Sequence, residues 1–112
     1  MTEPAQNPSA AVEALLAGLG PPERMRAFYL ARLGALRTYD REHNAELLRT
    51  LDAYFAAGRS PTATANRLNT HRNTVLYRLR RIEQLTQLTL RDPRVDLELQ
   101  VALRIAAALN ET

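Results

Sequence analysis

Six arginines stand in a stretch that holds no acidic residue. Arg59, Arg67, Arg72, Arg78, Arg80 and Arg81 all lie between Asp52 and Glu83. A guanidinium is a permanently charged, planar fork of donors, matched to phosphate oxygens and to the N7 and O6 edge of guanine. Interleaved with the arginines are His71, Asn73, Thr74 and Tyr77, which can donate, accept or stack. The chemistry on offer is recognition of a polyanion. The chain's formal charge is only +3 and all fifteen basic residues are Arg. Arg-rich codon usage explains the missing Lys equally well, so the local distribution carries the inference and the total does not. Arginines on one helix face are also an ordinary solvated surface, and that reading stands beside the binding one.

Covalent chemistry finds little support. His43 and His71 are the only imidazoles and there is no cysteine. Thiol catalysis, disulfides and the usual structural zinc sites are therefore excluded, as befits a reducing cytoplasm. No spacing sets a carboxylate or Ser beside a His as a nucleophile would require, and neither a Gly-rich phosphate loop nor HExxH occurs. The sequence therefore reads as no enzyme, with no cofactor. Asp40, Glu42 and His43 are the one conceivable metal cluster, and a solvated polar loop accounts for them better. Met1 is followed by TEPAQNPSA, which has neither the basic start nor the apolar run of a signal peptide, and no apolar run reaches bilayer length.

The elements that must position the arginines follow from apolar spacing and turn chemistry. With 112 residues the chain makes one domain plus an arm. Residues 1–20 read as a flexible N-terminal arm or linker, with a short helix from about Ala10 to Ala17 before Gly18 and Gly20. Residues 21–110 read as an all-helical domain. Pro21-Pro22 opens a helix to about Arg37, with Met25, Phe28, Tyr29, Leu33 and Leu36 at helical spacing. Asp40 to Asn44 forms a polar break, with Asn44 as an N-cap. The next helix runs to about Ala57 on Leu47, Leu48, Leu51, Tyr54 and Phe55, and Gly58 stops it. Ser60-Pro61 restarts a short helix ending near Leu68. Another follows from about Arg72 to Thr86, and a last one from Arg94 to Leu109 after Pro93. Nothing alternates with period two, and no hairpin turn appears. The expected class is all-α, with five to six helices.

The centre of this pattern is ATANRLNTHRNTVLYRLRRI. Ala65 is small where one helix would cross another. Leu68 plugs the core, and Val75, Leu79 and Ile82 make a buried stripe. That is the arrangement of a helix-turn-helix. Arg72, Asn73, Leu76, Tyr77 and Arg80 are expected on the opposite face. Arg72 is assigned to guanine and Asn73 to adenine, while Thr74, Arg78, Arg80 and Arg81 are assigned to phosphates. His71, or Thr70 before it, caps the helix, and the helix dipole favours a phosphate there. Asn73 as a helix-start hydrogen-bonder and Tyr77 lying flat on the domain remain open alternatives.

From Leu47 to about Ile105 the chain resembles the C-terminal helix-turn-helix domain of PucR-type regulators, the group that includes CdaR-like sugar diacid regulators. The resemblance rests on TYDREHNAELLRTLDAYF, TATANRL, HRNTVLYRLRRIEQLT and RDPRVDLELQVALRI, with HRNTVLYRL its specific part. It implies a sequence-specific transcription regulator of the bacterial cytoplasm and nucleoid. It further implies double-stranded DNA as partner, a homodimer, and a sensory domain outside this chain that binds the effector. The central helix is also similar to that of the factor for inversion stimulation, in which the residues at the positions of Arg72 and Thr74 meet DNA. Gln87 stands where the family usually has Gly, and Thr70 where it usually has Val or Ile.

The competing reading is a protein-interaction or dimerisation module without DNA binding. It rests on the last helix, where Leu99, Ala102, Ala106 and Leu109 form one apolar stripe and Leu97, Val101 and Ile105 a second. One stripe suffices for the core. The second is covered either by the helix from Met25 to Leu36 or by a partner subunit.

Overall fold

A computed structural model describes residues 8–18 and 20–110. Residues 1–7 and 19 of the expected arm lie outside the described residues. Among the described residues six helices follow one another: α1 (Pro8–Ala17), α2 (Pro22–His43), α3 (Leu47–Ala56), α4 (Pro61–Leu68), α5 (Arg72–Thr86) and α6 (Pro93–Ala108). There is no strand among the described residues, so the all-α expectation holds.

Most boundaries obey local chemistry. Ser60 caps α4 by accepting the Ala63 N–H at 3.1 Å, with Pro61 at the first helical position. Asp92 caps α6 by accepting the Arg94 N–H at 2.9 Å, again ahead of a proline. Gly58, at φ +68°, lets the chain turn back after α3, and the Arg59 N–H returns to the Tyr54 carbonyl at 2.8 Å.

The junction of α2 and α3 departs from the expected break. Helix α2 continues through Asp40 to His43, and Asn44 ends it in the left-handed conformation instead of starting α3. The four leading N–H groups of a helix need acceptors. Here the acceptor comes from the preceding helix: the Asp40 carboxylate takes the N–H of Leu47 at 2.7 Å and of Leu48 at 3.0 Å. Asp40 thus belongs to α2 by backbone and to α3 by function.

Helix α2 is the shared wall of the core. It packs against α6 on one side and against α3 and α5 on another. Tyr29, Leu33 and Leu36 of α2 are fully buried, as are Leu51 of α3, Val75 and Ile82 of α5, and Leu99 and Ala102 of α6. Each such Leu, Ile or Val side chain contributes about 1.5–3 kcal/mol by leaving water. Leu68 does not join this core cluster. The inward face of α4 is Thr64 and Ala65, and Leu68 stays half-exposed. The second stripe of α6 divides: Ile105 is buried, Val101 is partly covered, and Leu97 is 64% exposed. Helices α1 and α2 cover α6.

Ion pairs pin the periphery. Arg104 of α6 reaches Glu13 of α1 at 2.9 Å and also pairs with Asp52 of α3. Arg32 of α2 pairs with Glu98 of α6 at 3.1 Å. The buried Asp96 of α6 is held by Arg59, from the turn after α3, and by Gln100.

Candidate nucleic-acid interface

Helix α5 is seated by three buried residues one face apart, Val75, Leu79 and Ile82. Behind it lies α4, whose Ala65 is 4% exposed at the crossing. The connection between them is tight because Asn69 adopts the left-handed conformation and the Thr70 N–H returns to the Ala65 carbonyl at 3.0 Å. Next comes the cap. The His71 Nδ1 accepts the Asn73 N–H at 3.0 Å, which settles the choice between Thr70 and His71. An accepting Nδ1 leaves the ring proton on Nε2.

Successive residues turn about 100° around a helix, and this sorts the candidate residues. Asn73, Tyr77, Arg80 and Gln84 fall on the outward line, and all four are exposed. Arg72 does not lie opposite the core stripe as expected. It sits about 60° round the helix from Val75. It is exposed nonetheless, because it occupies the first turn. Thr74 and Leu76 are half-buried on the two flanks.

Arg78 lies about 60° from Val75 on the other flank. Its side chain is only 20% exposed, and its Nη1 donates to the Thr50 hydroxyl of α3 at 3.1 Å. The sequence carried a signal for this, since Arg78 neighbours Leu79 and is three residues from Val75. Its partner, 28 residues away, could not be read from spacing.

Arg81 is held on the protein surface. Its Nη2 donates to the Tyr77 hydroxyl and its Nη1 to Gln84 Oε1, both at 3.2 Å. The guanidinium carbon stands 5.5 Å from the centre of the Tyr39 ring, on α2. The hydrogen bond and charge of Arg81 lower the Tyr77 hydroxyl pKa below its ordinary value, and the same hydrogen bond raises that of Arg81. Tyr77 therefore neither lies flat nor points freely outward: half of it is exposed, with its hydroxyl tied to Arg81. Tyr39 and Gln84 were not singled out by sequence. Gln84 follows from the outward line, whereas nothing in the spacing points to Tyr39.

Among the described residues, Arg67, Arg72 and Arg80 make no ion pair, whereas Arg32, Arg59 and Arg104 all do. Exposed arginines without an ion pair also occur on α2 (Arg24 and Arg41) and after α5 (Arg91), so it is the position of Arg67, Arg72 and Arg80 on the helix-turn-helix that sets them apart. No group of three His, Asp or Glu suited to a metal occurs among the described residues. A cavity of about 420 Å³ lies between α2, α3 and α6, lined by no residue of α5. Its carboxylates are already engaged, Asp40 by backbone N–H groups, Glu46 by Arg49 and Asp52 by Arg104. No described helix is long and apolar enough to cross a membrane.

A short helix crossing behind an exposed, arginine-bearing second helix, with a tight left-handed turn between them, defines a helix-turn-helix domain. The chain belongs to the PucR C-terminal helix-turn-helix family, whose model matches residues 47–105. It is 39% identical over 90 residues to the purine catabolism regulatory protein of Bacillus subtilis (strain 168), covering 80% of this chain and 17% of that protein. It is 47% identical over 77 residues to the carbohydrate diacid regulator of Escherichia coli (strain K12), covering 68% and 20%. A third relative, the DNA-binding transcriptional activator AdeR of B. subtilis, is 31% identical over 74 residues, covering 66% and 18%. The matches span no more than a fifth of the length of these relatives. No solved structure matches the chain significantly. The family is one of DNA-binding regulators and not of enzymes.

Proposed function

We propose that this domain binds duplex DNA, with α5 in the major groove and Arg72 as its principal reader of sequence. The observation that carries this is the pair of exposed, unpaired arginines on the helix that the helix-turn-helix presents outward. Arg72 and Arg80 are exposed and unpaired, while the arginines that join helices have carboxylate partners. Arg72 meets guanine, Asn73 and Tyr77 face neighbouring bases or sugars, and Thr74, Arg80 and Arg81 anchor phosphates. The positive end of the α5 dipole at His71 favours a further phosphate. The test is selection of bound sequences from random duplex DNA, with the parent chain and with Arg72→Ala. A defined site for the parent and a blurred one for the variant is the expected result. Failure of the parent to bind any duplex at low salt overturns the reading.

Two copies act together on an inverted repeat, their α5 helices one DNA turn apart, roughly 34–36 Å. The exposed Leu97 on α6 and the dimeric habit implied by the family resemblance support this. A selected site with a single unpaired half counts against it. The effector is bound by a sensory domain outside this chain, and the whole regulator works in the bacterial cytoplasm on the nucleoid. The names of the relatives, two of them regulators and one a DNA-binding activator, support the regulatory role.

A further inference from the structure

We infer that Arg78, although it sits amid the DNA-facing arginines, is a positioning residue that fixes the rotation of α5 against α3 and so aims Arg72 and Arg80. This rests on the reading of α5 as the DNA-binding helix. Three observations carry it. First, the Arg78 side chain is 20% exposed, whereas Arg72 and Arg80 on the same helix are open to solvent. Second, its partner is a built one. Thr50 is fully buried, its hydroxyl donates to the Glu46 carbonyl at 2.8 Å, and the hydroxyl oxygen accepts from Arg78 Nη1 at 3.1 Å. Third, a carboxylate of the same turn stands behind it, with Glu46 Oε1 4.0 Å from Nη1.

The physical consequence is rotational. Val75, Leu79 and Ile82 form an apolar stripe that tolerates small rotations of α5, because dispersion contacts are not directional. A hydrogen bond at a flank of the stripe is directional and resists them. Rotating α5 to bring Arg78 outward would leave the buried Thr50 hydroxyl oxygen with one partner fewer and swing Arg72 and Arg80 away from their line. The chain of contacts extends further, because α3 is itself capped by Asp40 of α2. The register of the recognition helix is thus tied through polar groups to the longest helix of the domain.

The test uses the intact chain on its selected DNA site and on random duplex, at several salt concentrations. Arg78→Met keeps the apolar stem and removes the guanidinium, Arg78→Lys keeps the charge, and Thr50→Val removes the acceptor. A positioning role predicts that all three lose affinity for the selected site by about 5- to 10-fold, within the coupling range of one contact network. It also predicts that the Arg78→Met and Thr50→Val losses fail to add in the double variant. The salt slope stays that of the parent, because no phosphate contact is lost. A phosphate anchor predicts the reverse: Arg78→Met lowers the slope by about 0.9, Arg78→Lys retains binding, and Thr50→Val binds like the parent. That pattern overturns the inference. So does a coupling between Arg78 and Thr50 seen in urea unfolding but absent from DNA discrimination, which marks a purely structural pair. Arg72→Ala in the same panel separates the two claims. If it loses the selected site while Arg78→Met does not, the DNA reading survives and the positioning role falls. If the parent binds no duplex, both fall.

Discussion

The carboxylate of Asp40 accepts the backbone N–H of Leu47 at 2.7 Å across the junction of α2 and α3. The second oxygen takes the N–H of Leu48, so one side chain serves two leading donors of α3. Asp40→Ala removes both acceptors, and the expected loss of stability is about 1–3 kcal/mol. Asp40→Asn keeps one acceptor oxygen and should fall between the variant and the parent. Urea unfolding followed by far-UV circular dichroism measures this. A variant as stable as the parent would show that water replaces the cap without cost.

Gln87 closes α5 in the left-handed region at φ +61°, a conformation that a side chain disfavours and glycine adopts freely. Gln87→Gly should therefore stabilise the domain by about 0.5–1 kcal/mol, with DNA affinity unchanged. The gain is reduced by loss of the bond from Gln87 Nε2 to the Gln84 carbonyl at 2.9 Å. A thermal melt of parent and variant decides the sign. A lower midpoint for the glycine variant would show that the side-chain bond outweighs the strain.

Arg72 and Arg80 should separate base reading from phosphate anchoring. Arg72→Ala is expected to lose about 1–3 kcal/mol on the selected site and much less on random duplex. Arg80→Ala should weaken both DNAs about equally and lower the salt slope by about one. Binding curves on both duplexes at several salt concentrations make the comparison. Equal losses for Arg72→Ala on the two duplexes would transfer the reading role to Asn73 or Tyr77.

Asp92 gives the fold an acid-side dependence. The Arg94 N–H that it accepts at the start of α6 lowers its pKa below the ordinary 3.8. A carboxyl whose folded pKa is depressed contributes stability above its unfolded pKa and loses it as pH falls through the folded one. The stability gap between the parent and Asp92→Ala should therefore be full at pH 7 and shrink as pH drops below about 4. Denaturant midpoints for both proteins at neutral and acid pH check this. A gap unchanged at pH 2 would mean that the cap acts without its charge.

Much of this domain was legible in the order of its residues. Ser60-Pro61, Gly58 and the spacing of Val75, Leu79 and Ile82 are local signals whose consequences lie within a turn or two, so they located α3, α4 and α5 correctly. The acid-free arginine window pointed to the same helix. What stayed hidden depended on partners distant in sequence. Asn44 looked like a cap because Asn caps helices often, but the Asp40 side chain, folded forward from the previous helix, held the N–H groups first. Arg78 looked like one more phosphate cation because charge is a property of composition. Its direction, however, depends on Thr50 standing beside it, 28 residues earlier in the chain. Arg81 likewise acquired Tyr39 only when α2 packed on α5. Local propensity and periodicity thus determined which segments are helices and which helix carries the cations. Only the packing of α2, α3 and α5 decided which cations face out, because a guanidinium goes to a buried acceptor where one is within reach and to solvent where none is.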